Sequence, residues 1–182
     1  MMLYVYAPAG FAALLAFVLA VAASVLFLRT KGLRFDALAV SATQVGLVFL
    51  TANIIAGIVW SRLERARLWT WEPALTSALV CALLYASYLM LRRALEEPSQ
   101  RAAFCAVWSI FCFLDVPIIV AAVYRWRSRH PQPPLWSALP VAPLAGSTAI
   151  ALLIGGLLLW ARVKRENARR ERESSRRMDH VI

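Results

Sequence analysis

The residue of this sequence best suited to metal chemistry is His130, one of only two histidines. It follows arginines at three alternate positions, Arg125, Arg127 and Arg129, and three of the next four residues are prolines. Imidazole is a common metal ligand, and a guanidinium group binds a carboxylate through paired hydrogen bonds. The segment therefore suits a metal-containing ligand that carries carboxylates. A histidine in such a loop is more often simply solvated, and this alternative stays open.

Tryptophan side chains gather on the same predicted side of the protein as the histidine. Trp69 and Trp71 lie one residue apart, just before Glu72 and a proline that is typical of a helix start. Trp60 ends the second apolar stretch, and Trp126 lies two residues after the fourth. Taken singly, each tryptophan could be an ordinary interface residue. Taken together they could form a flat apolar platform, which with the histidine and the arginines suits haem, a flat hydrophobic dianion that carries iron.

The elements that must position these residues are apolar stretches of membrane-spanning length. Of the 182 residues, 61% are apolar and 16% are charged, against roughly 45–50% and about 25% in soluble domains. About 20 apolar residues cross the hydrocarbon layer as a helix. The sequence predicts an all-α, five-span transmembrane bundle over residues 1–161, with a tryptophan-rich outer loop over 60–73. The spans are predicted at about 4–28, 37–60, 73–91, 102–124 and 136–160.

The basic residues set the predicted orientation. Eight of the twenty lysines and arginines lie within 162–177, and basic residues favour the cytoplasmic side of a membrane. We therefore expect 162–182 to be a basic cytoplasmic tail and the N-terminus to lie outside. The net charge of +10 is typical of nucleic-acid-binding proteins, but its concentration in the tail favours anionic lipid over nucleic acid as the partner. Docking of a partner subunit is the alternative.

Asp115 is the single charged residue of the fourth predicted span. A carboxylate inside the membrane is costly and marks a functional site by default. One structural alternative is a hydrogen bond to backbone groups freed by Pro117. Another is pairing with Gln44 or Asn53 of the second span. The functional interpretation is that Asp115 orients an arginine or a water near the haem site.

The tryptophan-containing segment resembles the signature of a known family. Residues 69–77, which read WTWEPALTS, are similar to the tryptophan-rich WWD signature of the haem exporter protein C type, haem-handling membrane proteins of cytochrome c maturation. Arg65 and Ala66 stand where that signature has tryptophan and glycine. Other similar segments follow in the family's order, and the likeness covers residues 3 to about 130. These segments are 3–8, 45–49, 57–60, 115–119 and His130.

The resemblance implies a role for each candidate residue. His130 corresponds to a histidine ligand of haem iron, and Tyr6 occupies the position of the family's first histidine; phenolate is a known ligand of ferric haem. The family's usual first span has no counterpart in this alignment of segments. The implied haem platform comprises Trp60, Trp69, Trp71, Glu72 and Trp126. The implied propionate contacts are Arg125, Arg127 and Arg129.

The resemblance further implies a bacterial inner-membrane protein of cytochrome c biogenesis. Such a protein binds haem b transiently at its periplasmic face and passes it to a periplasmic haem chaperone, beside transporter-type membrane subunits. No covalent chemistry by the chain is implied, and we expect no enzyme. One alternative is a structural membrane subunit of the assembly complex that has lost haem binding, and another is a haem-lyase-type component. A small-solute transporter finds no support, because no internal repeat is evident.

Overall fold

In a computed structural model, residues 3–65, 71, 73–124 and 141–179 are described, and every element they form is a helix. Five helical segments in this part of the chain are long and apolar enough to cross a membrane, the fourth running over Pro98–Ala121. The predicted all-α, five-span membrane bundle is confirmed. The helices are α1 (Leu3–Thr30), α2 (Leu33–Arg65), α3 (Pro73–Ala94), α4 (Pro98–Phe113), α5 (Asp115–Tyr124) and α6 (Val141–Asp179).

The fourth span consists of two helices, α4 and α5, rather than one. Proline has no amide N–H, so Pro117 cannot donate to the carbonyl of Phe113, four residues earlier. Leu114 nevertheless keeps a helical conformation, and its N–H donates to the Phe111 carbonyl at 3.1 Å. The break therefore leaves the span continuous but places Asp115 at the N-terminus of α5, where a helix dipole favours a negative charge.

Small residues allow the first three helices to approach closely, as is common in membrane bundles. A Cβ atom at Gly46 of α2 would lie 2.7 Å from Cε1 of Phe17, so only glycine leaves room for that ring. Phe17 in turn stacks on Tyr85 of α3, with ring centroids 3.9 Å apart. Gly46 thus makes possible the aromatic stack that joins α1 and α3 across the centre of the bundle.

The last helix is attached to the bundle differently. It contacts α1 and α2, but its apolar side chains bury little surface against them: Leu153 and Leu157 are each 68% exposed. Its firm contacts are polar and lie at one end of the bundle, where α1 and α3 end and α2 begins. We call this the basic end, after the lysines and arginines that these helix ends and the continuation of α6 carry.

The polar contacts at the basic end centre on Asp36 of α2, whose side chain is 5% exposed. Arg92 of α3 donates to both carboxylate oxygens, at 2.9 and 2.8 Å. Arg170 of α6 donates to the same carboxylate and to the Leu33 carbonyl at 2.6 Å. Glu166 of α6 accepts from Arg92 at 3.2 Å. Asp36, Arg92, Glu166 and Arg170 form what we call the Asp36 network, which joins three helices.

Most of the predicted tail over 162–182 continues the last helix. Helix α6 runs without a break from the span to Asp179, and Glu166 and Arg170 form an ion pair one turn apart, at 3.4 Å. Arg162 donates to the Gln44 side chain at 2.6 Å, while Lys164 and Arg165 remain exposed. Part of the tail's charge is used within the protein, and part remains available to lipid.

Five spans place the two ends of this chain on opposite sides of the membrane. We expect a reporter that is active only outside the cytoplasm to be active when fused before Met1 and inactive when fused after Ile182. A reporter that is fluorescent only in the cytoplasm should give the reverse pattern. The same location for both ends would contradict the span count, and a reversal of both would contradict the orientation alone.

The Asp36 network predicts unequal effects of neutralising two adjacent arginines. Arg92→Gln removes a cation from a buried carboxylate, which typically costs about 3 kcal/mol or more, whereas Arg93 is exposed and Arg93→Gln should cost less than about 0.5 kcal/mol. The measurement is the free energy of unfolding in detergent, followed by circular dichroism. Equal stability of the two variants would show that the network contributes nothing.

Candidate functional site

Apart from Asp115, the candidate residues that the structure describes lie at the end of the bundle opposite the basic end. Helices α1 and α3 begin there, and α2 and α5 end there. We call it the tryptophan end, after Trp60 near the end of α2 and Trp71 just before α3. Because the chain leaves α5 at Tyr124, the segment that contains His130 also starts from the tryptophan end.

A hydrogen bond between α1 and α2 fixes the backbone of Tyr6. The side-chain amide of Asn53 donates from Nδ2 to the Tyr6 carbonyl at 2.7 Å, and Asn53 is 6% exposed. A Cβ atom at Gly10 would lie 3.0 Å from Nδ2 of Asn53, so the absence of a side chain there leaves room for the amide. In an apolar surrounding, an unpaired amide is costly, and this bond therefore fixes the register of the two helices.

The absence of a side chain at a second glycine, Gly57, leaves room for the ring of Tyr6. A Cβ atom at Gly57 would lie 3.4 Å from Cε2 of Tyr6 and 3.2 Å from Cδ1 of Leu75. The half-buried phenol ring therefore packs where α1, α2 and α3 meet, beside the first turn of α3. Leu75 lies four residues after Trp71, so Tyr6 is positioned close to the base of the tryptophan-containing loop.

The two described tryptophans of the predicted platform differ in exposure. Trp71 is 81% exposed, while Trp60 is half-buried. An indole that is exposed at a membrane boundary presents a flat apolar face with a polar edge. Trp71 thus exposes a flat apolar face four residues before Leu75, which packs against Gly57 as Tyr6 does.

Asp115 does not pair with Gln44 or Asn53, and this prediction is wrong. Gln44 accepts from Arg162, and Asn53 donates to Tyr6. The reason is the packing order, because α5 packs against α3, and Asp115 therefore lies near Cys81 of α3.

The carboxylate of Asp115 remains incompletely satisfied. The residue is 9% exposed, and its Oδ2 atom has no hydrogen-bond partner among the described residues. The alternative prediction of bonds to backbone groups freed by Pro117 is therefore not met at this oxygen. Asp115 lies nine residues before the end of α5, about 14 Å below the tryptophan end.

Most of the remaining candidates lie outside the described residues, and their roles stay predictions. Among the residues that the structure describes, no group of three histidine, cysteine, aspartate or glutamate side chains could hold a metal ion. The sequence interpretation missed the packing roles of Gly10 and Gly57. The signal for such a role is a glycine opposite a bulky residue on a neighbouring helix, as the structure shows for both. The candidates outside the described residues are Trp69, Glu72, Arg125, Trp126, Arg127, Arg129 and His130.

A family model and several known proteins match this chain. The family model described as Heme exporter protein C matches residues 1–178. A Heme exporter protein C from Bradyrhizobium diazoefficiens is 31% identical over 119 residues, 65% of this chain and 45% of the relative. A putative cytochrome c biosynthesis ccmC-like mitochondrial protein from Marchantia polymorpha is 27% identical over 159 residues, 87% of this chain and 64% of the relative.

A second group of relatives carries a different name. A cytochrome c biogenesis protein CcsA from a Synechococcus strain is 36% identical over 97 residues, which cover 51% of this chain and 31% of the relative. This chain therefore spans between about a third and two thirds of the length of these three relatives.

Proposed function

We propose a haem-handling function in cytochrome c biogenesis for this chain, which belongs to the haem exporter protein C family. The family match over residues 1–178 is the observation that carries the proposal. The names of the relatives refer to haem export and to cytochrome c biogenesis. The match also confirms the family predicted from the similar segments between residues 3 and about 130. The five membrane-length helices make this a multi-pass membrane protein, which we place in the bacterial inner membrane.

The cargo binds at the tryptophan end, which faces the periplasm. The exposed indole of Trp71 contacts the porphyrin face, and Trp60, Trp69 and Trp126 extend the apolar surface around it, with Glu72 at its edge. Aromatic faces suit a porphyrin because stacked rings gain contact energy beyond simple area burial. The support for this placement is the exposure of Trp71, which lies two residues before the start of α3.

Iron is held chiefly by His130, and the propionates are held by Arg125, Arg127 and Arg129. A guanidinium group offers a carboxylate two parallel hydrogen bonds, and three arginines exceed the two charges of the propionates. Tyr6 is a weak second ligand, since a free phenol ionises only near pH 10 and its ring already packs against Gly57 and Leu75. The chain therefore supplies one strong ligand to the iron.

A single strong iron ligand suits haem that must later be released. We infer that haem b is bound transiently, passes unchanged to a periplasmic haem chaperone, and is handled beside transporter-type membrane subunits. Asp115 lies about 14 Å below the tryptophan end, too deep in the bundle to touch the cargo directly.

A structural subunit without haem binding is the second candidate function. The observation that favours it is the environment of Tyr6, where relatives of this type carry an iron ligand according to the resemblance. Its carbonyl accepts a hydrogen bond from Asn53 and its ring packs beside Gly57, so the residue contributes to helix packing whether or not haem is bound. A haem-lyase-type component has no observation of its own in its favour.

The platform proposal predicts a difference between two exposed tryptophans at opposite ends. Trp71 and Trp160 are 81% and 65% exposed, so replacing either by alanine should leave the free energy of unfolding within about 0.5 kcal/mol of the original. Trp71→Ala should weaken haem binding about tenfold, and Trp160→Ala should leave it unchanged. Haem titration followed in the Soret region measures both. Equal affinity of the two variants would remove Trp71 from the site.

The ligand proposal predicts that purified protein loaded with ferric haem shows a largely five-coordinate or water-ligated spectrum. His130→Ala should remove most of the Soret absorbance retained after gel filtration, since the one strong ligand is lost. Tyr6→Phe should change it little, because the ring packs in the same way without its hydroxyl.

His180→Ala is the matched control for this experiment, since it removes the only other histidine and should retain all the haem. Circular dichroism and gel filtration confirm that each variant is folded. Wild-type haem content in His130→Ala would refute the ligand assignment. Absence of haem from the wild type as well would leave the structural subunit as the function.

A further inference from the structure

A groove of about 130 Å³ runs along the contact between α6 and the rest of the bundle. Ala16 and Leu19 of α1 and Val45 of α2 form one wall, and Leu152, Gly156 and Leu159 of α6 form the other. A Cβ atom at Gly156 would meet nothing within 4 Å. The groove therefore exists because small residues stand where two helices of a membrane bundle would otherwise interdigitate.

The shape of the groove limits what can occupy it. From Leu152 to Leu159 it extends about 10 Å along α6, at 1.5 Å per residue. A helix with its side chains is about 10 Å wide and does not fit into so small a volume. Water gains no partners from such a lining. A slender apolar chain does fit, and at this level of a membrane the available molecules of that kind are lipid acyl chains.

Positive charge lies at one end of the groove only. Arg162 is three residues beyond Leu159, and its Nη1 donates to Gln44 at 2.6 Å, beside Val45 of the groove wall. Lys164 and Arg165 follow and are exposed, with Lys164 Nζ 5.3 Å from the centre of the Trp160 ring. In the other direction, the sequence has no charged residue from 131 to 161. A bound lipid would thus meet cations with its head group.

We propose that this groove binds one acyl chain of an anionic glycerophospholipid, whose phosphate lies against Arg162, Lys164 and Arg165. The occupant fills the gap that α6 leaves beside α1 and α2. It thereby stabilises a helix that is otherwise attached mainly through the Asp36 network. This site lies at the middle of the bundle, away from the tryptophan end, and is independent of the haem-handling function.

The proposal is tested with the whole chain in vesicles. The probe is phosphatidylglycerol with a photoactivatable diazirine in one acyl chain, and crosslinked positions are located by mass spectrometry. We expect labelling to concentrate at Leu152–Leu159 and on the facing part of α1. Phosphatidylcholine with the same labelled chain should label these positions about fivefold less, because it lacks the net negative charge.

Two glycines of α6 provide matched variants. Gly156→Leu fills the groove and should lower labelling there at least fivefold, whereas Gly146→Leu lies in equally open space away from the groove and should not. Ala16→Leu closes the groove from the α1 side and should act like Gly156→Leu if that variant is poorly folded. Lys164→Gln with Arg165→Gln should abolish the preference for phosphatidylglycerol while retaining the acyl-chain labelling.

The proposal is overturned by unchanged labelling in both groove-filling variants, or by labelling spread evenly over lipid-facing positions such as Leu153. Crosslinks from α6 to a second copy of the chain, at the expense of lipid, would assign the groove to self-association instead. Equal labelling by the two lipids would refute the anionic head-group contact.

Discussion

A carboxylate buried between helices stays ionised only when cations and hydrogen bonds replace the water it has lost. Asp36 meets this requirement with two arginines from two different helices, and Glu166 balances their charge. The consequence is architectural, because α6 has little apolar surface buried against the bundle and depends on these contacts. Since α6 starts where the segment with His130 ends, holding α6 also fixes one end of that segment.

The two ends of the bundle use polar groups in different ways. At the basic end, ionic groups join helices that apolar packing alone holds weakly. At the tryptophan end, a neutral amide and two glycines hold Tyr6, and no charged group is needed among the described residues there. Neutral contacts hold Tyr6 without placing an unpaired charge in the apolar interior, where it would be costly.

The sequence predicted the elements well and their partners poorly. Apolar stretches of about 20 residues identify membrane spans by length alone, and the five spans follow from that. Which residue pairs with which depends on the order in which the helices pack, and this order is not encoded in any single helix. Gln44 was therefore one of the alternative partners predicted for Asp115 but binds Arg162, and no pattern in the sequence marks Asp36, which organises the basic end. The histidine, the arginines and the tryptophans of the candidate site were predicted from residue chemistry, whereas Tyr6 was predicted through the family resemblance. Of the predicted site residues, just Tyr6, Trp60, Trp71 and Asp115 lie among the described residues.

The environment of Tyr6 explains how one position can suit either proposed function. A histidine at position 6 would project a ligand nitrogen from the same backbone, whose carbonyl accepts a hydrogen bond from Asn53. The phenol ring instead reaches the space beside Gly57 and packs near Leu75 of α3. In the proposed function, haem binding then rests on His130 and on the aromatic surface around Trp71. In this proposal, the aromatic surface contributes affinity through its contact area, and a single imidazole sets the orientation of the bound iron. Together they allow haem to be held in one orientation and still released.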